Sequence, residues 1–176
     1  MRVVILGAGG VGSVVAGHLA LHGVDTVMIA RPGHARAVQQ NGLRLTGLSD
    51  FRVRLPAYAD ASALDTADVL LITVKTKDMP RALASVKHLQ VDTVASLQNG
   101  VVKNAQMARV FGAPTVVGAT TMIGATLVRD GEVHYSLDGI TFFGEPDGTR
   151  STRVDRLAQT FIDAGLKAAA VENIVS

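Results

Sequence analysis

A short glycine-rich stretch near the N-terminus has the G-x-G-x-x-G spacing of a dinucleotide-binding loop. It reads Gly7-Ala8-Gly9-Gly10-Val11-Gly12 and directly follows a run of apolar residues. In such a loop Gly7 permits a tight turn, Gly9 lets the backbone approach a pyrophosphate, and Gly12 lets the next helix pack closely on a strand. The match alone is weak evidence, because the chain has 18 glycines. It becomes strong evidence because it lies between a predicted strand and a predicted helix. The alternative is a tight turn that binds nothing.

Arg31 stands where the second predicted strand ends, roughly 20 residues after the glycine loop. A domain that binds NAD usually has Asp or Glu at this place, and its carboxylate holds the ribose 2′-hydroxyl group. Here that carboxylate is missing, and a guanidinium binds a 2′-phosphate through two hydrogen bonds. Arg31, with His34 and Arg36 nearby, therefore predicts NADP(H) as the cofactor. The alternative is a solvated arginine on the surface.

Two further polar residues, Lys75 and Asn99, stand where later predicted strands end. Ligands of open α/β sheets bind beyond the carboxyl ends of the strands. An ammonium and an amide at this edge suit a carboxylate or ribose hydroxyls, so we expect both side chains to contact cofactor or substrate. The alternatives are a solvated lysine at 75 and a simple Asn99-Gly100 turn.

The elements that position these residues alternate between strand and helix from Arg2 to Gly118. Asp68–Val74 is apolar at nearly every position, which is typical of a central parallel strand covered on both faces. The other strands predicted here are Arg2–Leu6, Val24–Ala30, Thr93–Leu97 and Thr115–Gly118, and the helices are Val11–His22, Gly33–Gln40, Asp78–Leu89 and Val101–Val110. This order predicts a doubly wound, Rossmann-like α/β domain with a parallel sheet.

The pattern changes after Gly118. Three predicted strands separated by Asp-Gly turn dipeptides indicate an antiparallel extension: Thr120–Val128, Gly131–Leu137 and Gly139–Gly144. A smaller hairpin is predicted from Leu43–Leu45 and Phe51–Leu55. Apolar residues at helical spacing between Val154 and Ile162 predict a last helix, and Lys167–Val171 predicts a last strand.

Composition excludes several classes of function. The chain has 176 residues and no cysteine, which rules out disulfide scaffolds, thiolate metal sites and cysteine nucleophiles and is compatible with the cytoplasm. A net charge of +2 does not indicate the basic surface that nucleic-acid binding requires. The sequence contains no run of about 18 apolar residues, so no membrane span is predicted. Charged residues make up 18% of the chain, against about 25% in ordinary domains. This low content predicts an exposed apolar patch near Lys75, Asn99 and the C-terminal segment.

The ordered set of motifs resembles the ketopantoate reductase (2-dehydropantoate 2-reductase) family over the whole chain. The motifs that carry the resemblance are the glycine loop with Arg31, Asn41-Gly42-Leu43-Arg44-Leu45, Val74-Lys75, Gln98-Asn99-Gly100, the Gly118–His134 stretch and Gly139–Gly144. The resemblance implies NADPH-dependent reduction of ketopantoate to pantoate, on the way to pantothenate and coenzyme A. It also implies that Lys75 lies near the cofactor ribose and nicotinamide, that Asn99 contacts cofactor and substrate, and that Gly124-Ala125 lies against the cofactor.

The family also implies a catalytic residue outside this chain. In the family a stretch like Val171–Ile174 leads into a helix that carries a tryptophan and then the proton-donating lysine. We therefore expect no catalytic residue within the chain, with that lysine lying beyond Ser176. Residues 1–170 are expected to form the NADP-binding domain, and 171–176 to begin the segment that leads to a helical domain absent from this chain. By itself such a chain would bind cofactor but not turn over, because the new alkoxide lacks a proton donor.

Two alternative functions stay open at this point. One is a nucleotide-sensing module without catalysis, although such modules usually keep the acidic residue that is missing beside Arg31. The other is a related reductase of a different 2-keto acid.

His18 and His22 lie four residues apart on a predicted helix, but no third metal ligand is identifiable and no metal site is predicted. The expected partner is a small-molecule 2-keto acid, and a homodimer is left open.

Overall fold

The computed structural model describes residues 1–100 and 102–174, and an eight-stranded sheet forms its centre. The strand order is β12-β11-β8-β7-β6-β1-β2-β5, and all neighbours are parallel except β11 and β8. Its strands are β1 Arg2–Leu6, β2 Asp25–Ile29, β5 Ala57–Tyr58, β6 Thr66–Ile72, β7 Gln90–Ser96, β8 Val116–Thr121, β11 Thr141–Gly144 and β12 Ala168–Ala170. The predicted doubly wound α/β fold is confirmed.

Helices cover both faces of this sheet. They are α1 Gly10–Leu21, α2 Pro32–Asn41, α3 Met79–Val86, α4 Val102–Phe111 and α5 Thr152–Asp163. One buried apolar cluster joins the sheet to α1 and α5, and a second joins the opposite face to α3 and α4. β6 lies between β1 and β7 and is buried over its last four residues, as expected of a central strand. The first residue of the predicted fourth helix, Val101, lies outside the described residues.

A second, four-stranded sheet packs over α1 in the order β4-β3-β10-β9. Its strands are β3 Leu43–Gly47, β4 Phe51–Val53, β9 Gly124–Arg129 and β10 Glu132–Leu137. The β3–β4 and β9–β10 hairpins are antiparallel, and β3 joins the two by pairing in parallel with β10. Gly17 of α1 faces Leu43 and Leu45 so closely that a Cβ atom there would displace them.

One boundary and one strand pairing of the predicted antiparallel extension were wrong. Thr120 and Thr121 continue β8 in the main sheet, and β11 returns to pair with β8 instead of β10. The apolar residues of the two strands explain the separation, because Val133 and Tyr135 of β10 pack in the core beside α1, whereas the Phe143 ring of β11 meets the Phe161 ring of α5 edge to face at 5.0 Å. Alternation alone does not say which helix each strand packs against.

The last helix, α5, has a defined residue at each end. Ser151 accepts a hydrogen bond from the Val154 N–H through its side chain and so caps α5. Gly165 follows that helix with a φ of +79°, the left-handed conformation that glycine adopts without strain. Among residues 1–100 and 102–174, no helix combines the length and apolar character that crossing a bilayer requires.

Candidate functional site

The loop between β1 and α1 turns tightly and is fastened to the neighbouring strand. Gly7 has a φ of +86°, and the N–H groups of Gly7 and Ala8 both donate to the carbonyl of Ile29, at 2.8 and 3.0 Å. Ile29 is the last residue of β2, so the loop and the start of the segment with Arg31 are held side by side. The two parts of the predicted dinucleotide site are therefore adjacent.

The first turn of α1 leaves backbone donors free. The first helical bond runs from the Ser13 N–H to the Gly9 carbonyl at 3.0 Å, so the N–H groups of Gly10, Val11 and Gly12 precede the i→i−4 ladder. No side chain in the described part of the chain caps this helix. Free N–H groups at the positive end of a helix dipole form an anion site, which fits a pyrophosphate.

Each glycine of the loop has a different neighbourhood. A Cβ atom on Gly9 would have only the Gly7 carbonyl within 4 Å, so this backbone is open to a ligand. A Cβ on Gly12 would collide with Thr73, whose hydroxyl donates to the Gly7 carbonyl at 3.0 Å. A Cβ on Gly10 would collide with the Ala125 carbonyl. The structure thus places Ala125, predicted to lie against the cofactor, beside the first turn of α1.

Lys75 and Asn99 line one cleft of about 370 Å³ at the carboxyl ends of β6 and β7. Val11 of the glycine loop and Thr121 of β8 line the same cleft. Both predicted side chains are exposed. The Asn99 Oδ1 accepts a hydrogen bond from the Thr120 hydroxyl at 3.3 Å, which leaves the amide N–H groups as donors. The structure therefore brings the two residues together, while their binding roles stay predictions.

A buried lysine beneath this cleft escaped sequence reasoning. The Lys103 side chain donates from Nζ to the Ser96 carbonyl at 2.8 Å and to the carbonyls of Gln98 and Ala119. Burial lowers the pKa of Lys103 to about 8. The sequence signal for this burial was the spacing of four residues between Lys103 and Met107, which puts both on one face of α4. Met107 is fully buried, so this is the inner face of the helix. The lysine ties the end of β7 to β8 under Asn99.

The structure separates the three basic residues that were predicted to surround a 2′-phosphate. Arg31 and Arg36 are exposed, but His34 is only 1% exposed. Its Nδ1 accepts from the Gly131 N–H at 2.9 Å, so its Nε2 carries the proton and donates to the Ser13 hydroxyl at 3.0 Å. Burial lowers the pKa of His34. His34 was therefore wrongly grouped with Arg31, since it connects α1, α2 and the β9–β10 turn.

His18 of α1 holds neighbouring elements together, whereas His22, which directly follows the helix, bonds to the end of that helix. His18 uses Nδ1 on the Ala164 carbonyl and Nε2 on the Ser49 hydroxyl, each at 2.9 Å, while His22 uses Nδ1 on the His18 carbonyl. No group of three metal-ligating side chains occurs in the described residues.

Two exposed apolar side chains lie close in sequence to residues that line the cleft, while the predicted apolar patch remains a prediction. Val102, three residues after Asn99, is 67% exposed, and Met122, next to the cleft residue Ile123, is 60% exposed. Ile174 covers Gly118 in the middle of β8 and Gly144 at the end of β11.

Comparison with known proteins agrees with this geometry. The family model described as ketopantoate reductase PanE/ApbA matches residues 3–148, which include the glycine loop, Arg31, Lys75, Asn99 and Ala125. The chain belongs to the ketopantoate reductase PanE/ApbA family. The family resemblance predicted from the ordered motifs is thereby confirmed.

Relatives of the family align over nearly the whole chain. A 2-dehydropantoate 2-reductase of Pyrococcus horikoshii is 35% identical over 176 residues, covering 99% of this chain and 58% of the relative. The crystal structure of a PanE/ApbA family ketopantoate reductase from Ralstonia eutropha superposes with a TM-score of 0.90 at 30% identity, over 99% of this chain and 58% of that one. The ternary structure of D-mandelate dehydrogenase with NADH shares the fold, with a TM-score of 0.90 at 21% identity and the same coverage of 99% and 58%. The chain thus spans a little over half the length of these proteins.

Proposed function

We propose that this chain is the cofactor-binding part of an NADPH-dependent 2-dehydropantoate 2-reductase. The observation that carries the proposal is the set of unbonded N–H groups at the start of α1, open at Gly9, beside a cleft that holds Lys75 and Asn99. The family membership and the relatives named 2-dehydropantoate 2-reductase support the substrate class. In this proposal the protein acts in the cytoplasm, and its lack of cysteine is compatible with the reducing conditions there.

Each predicted binding residue has a chemical task in this proposal. The glycine loop, Gly7, Ala8, Gly9, Gly10, Val11 and Gly12, binds the pyrophosphate through backbone N–H groups. Arg31 binds the 2′-phosphate through its guanidinium, and the backbone of Ala125 borders the cofactor beside Gly10. Lys75 and Asn99 contact the cofactor ribose and the carboxylate of the 2-keto acid. When bound, NADPH supplies the hydride that reduces the ketone.

The proton for the new alkoxide comes, in this proposal, from a lysine outside residues 1–176. Lys103 is buried and occupied by three carbonyls. Lys167 pairs with Asp138 at 2.9 Å and is not among the residues that line the cleft. The chain covers only 58% of these relatives, and the proposal assigns the proton-donating lysine to the remainder of such a protein. The chain is therefore expected to bind cofactor without appreciable turnover.

Gly9→Val is the variant that tests the proposal. A Cβ atom at Gly9 meets only the Gly7 carbonyl within 4 Å, so the unliganded variant should stay folded, with a loss of about 1 kcal/mol because valine is a poor N-cap residue for α1. The added side chain would occupy the space of the pyrophosphate, and titration calorimetry should show NADPH affinity reduced by at least about 100-fold. Undiminished NADPH binding by Gly9→Val would refute the loop's role. Tighter binding of NADH than of NADPH by the wild type would refute the role of Arg31.

A further inference from the structure

The turn between β9 and β10 lies on the first turn of α2. Gly131 of the turn donates its N–H to His34 Nδ1 at 2.9 Å and packs against Ala37, one helical turn on. The Asp130 carboxylate lies against Gly33, so close that a Cβ atom on that glycine would collide with it. The same carboxylate acts on His34 electrostatically and raises the pKa that burial lowers. Three separate contacts thus fix Asp130 beside the start of α2.

Asp130 brings a negative charge that no neighbouring cation neutralises directly. Its side chain is exposed, and across the described ranges 1–100 and 102–174 no cationic group lies within ion-pair distance of it. The adjacent Arg129 is occupied, because its guanidinium donates to the Glu132 carboxylate at 2.6 and 2.9 Å. A ligand bound at this end of α2 is therefore exposed to the negative potential of the Asp130 carboxylate.

This is the place where the fold positions the ribose of a dinucleotide. The ribose lies beyond the carboxyl end of β2, and Arg31 directly precedes α2 there. Gly33, on which Asp130 lies, is two residues further along. A carboxylate from a distant hairpin therefore lies near this place, although β2 itself ends without an acidic residue. Arg31 and Asp130 present opposite charges to the same part of the ligand.

We propose that Asp130 is a specificity-determining residue that opposes the 2′-phosphate of NADP(H) and so reduces the preference that Arg31 confers. The proposal rests on the proposed function, because it assumes that the glycine loop binds a nicotinamide dinucleotide. A phosphate monoester carries about two negative charges at neutral pH, whereas the 2′-hydroxyl of NAD(H) carries none. Repulsion from Asp130 thus weakens one cofactor and spares the other.

The competing explanation is that Asp130 serves only the turn that it forms with Gly131. Asp-Gly and Asn-Gly both suit such hairpin turns. Asp130→Asn therefore removes the charge and keeps the turn chemistry. A matched control is Asp147→Asn, which removes the same charge from another Asp-Gly pair, in the segment between β11 and α5.

The test compares wild type, Asp130→Asn and Asp147→Asn by titration calorimetry with NADPH and NADH at low ionic strength, where exposed charges are least screened. We expect Asp130→Asn to bind NADPH about 3- to 10-fold more tightly, the effect of one exposed charge, and NADH within about 2-fold of wild type. Asp147→Asn should leave the ratio of the two affinities unchanged. An unchanged ratio in Asp130→Asn, or an equal change in both variants, would overturn the proposal.

A second readout does not involve the cofactor. NMR titration of the His34 ring should show a lower pKa in Asp130→Asn than in wild type, because the carboxylate that favours the protonated ring is gone. If the His34 pKa does not change, the placement of Asp130 is wrong and the proposal fails with it. If it falls while the affinity ratio stays constant, Asp130 is in place but does not select the cofactor. If wild type binds neither dinucleotide, the proposed function fails, and this proposal with it.

Discussion

The charged side chain of Lys103 donates hydrogen bonds to backbone carbonyls beside the candidate site. Its ammonium reaches three carbonyls, two at the end of β7 and one in β8, where the main sheet opens toward the cleft. These carbonyls lie past the regular ladder between the two strands, which pairs Val94 and Ala95 with β8. An unpaired buried carbonyl is costly, so a long cationic side chain with three donors is suited to this place.

Replacing Lys103 with methionine should therefore destabilise the chain. Methionine matches the length of the buried side chain but donates nothing, so we expect the free energy of unfolding at pH 7 to fall by about 2 kcal/mol. Urea denaturation of Lys103→Met and wild type measures the difference. The exposed Lys87→Met is the matched control and should change stability by less than about 0.5 kcal/mol.

The difference in unfolding free energy between wild type and Lys103→Met should increase with pH. Burial lowers the pKa of Lys103 to about 8 from an ordinary value of 10.5, so between these values the unfolded chain binds more protons than the folded one. Stability from this residue then rises with pH, by up to about 1.4 kcal/mol per pH unit. The gap between wild type and Lys103→Met should accordingly be wider at pH 9.5 than at pH 7.5. A gap that is constant or narrows would contradict the lowered pKa.

Sequence reasoning at this scale succeeded where a residue's place along the chain determines its surroundings. The glycine loop follows a strand and starts a helix, so its backbone geometry was predictable from local order. His34 and Lys103 were not, because their partners, Gly131 and Ala119, come from distant segments. Asp130 belongs with them, since nothing within its own turn indicates that it meets Gly33.

At the scale of elements, α5 is fastened to the sheet by one ion pair. The Arg153 guanidinium holds the Glu145 carboxylate with two bonds of 2.6 Å, and it also donates to the carbonyls of Pro114 and Val116. Ser151, the cap of α5, donates to the same carboxylate at 2.6 Å. These bonds join the end of β11, the start of α5 and the start of β8. The Arg153 guanidinium holds the pKa of Glu145 below its usual value of 4.5.

Arg153→Met should lower the free energy of unfolding by about 2 kcal/mol at pH 7, because it leaves a nearly buried carboxylate without its cation. A lowered carboxyl pKa contributes stability above the unfolded value, and that contribution is lost as pH falls through the folded one. The difference between wild type and variant should therefore be smaller at pH 3 than at pH 7, as measured by urea denaturation at both values. Arg156→Met, on the same helix, is the control. Equal differences at pH 3 and pH 7 would refute the coupling.

The elements themselves were largely predictable because most carry periodic apolar patterns. The two-residue strand β5 was missed, since Ala57–Tyr58 is too short for any period to show. The pairing partners of β3, β10 and β11 were not predictable either. These strands alternate in the same way, and their separation into two sheets depends on packing against α1 and α5, which is not encoded locally.

At the scale of the whole molecule, the candidate site lies where many elements end. The glycine loop joins β1 to α1, Arg31 follows β2, Lys75 follows β6, Asn99 follows β7, and Ala125 lies in β9. Elements of both sheets therefore meet at one edge. A ligand there would contact most of the fold at once, so its binding energy should appear in the stability of the entire chain.

Cofactor binding should therefore raise the melting temperature of the intact chain. At a free NADPH concentration of about 100 times Kd, mass action adds about 2.7 kcal/mol, which for this size of domain corresponds to a shift of about 5–10 °C. Differential scanning calorimetry with NADPH, and with NADH at the same concentration, measures the effect; NADH should give the smaller shift because it lacks the group that Arg31 binds. Gly9→Val should melt about 2–4 °C below wild type without ligand, because valine is a poor N-cap residue for α1, and show no shift with either dinucleotide. A shift that persists in Gly9→Val would place the binding site elsewhere on the molecule.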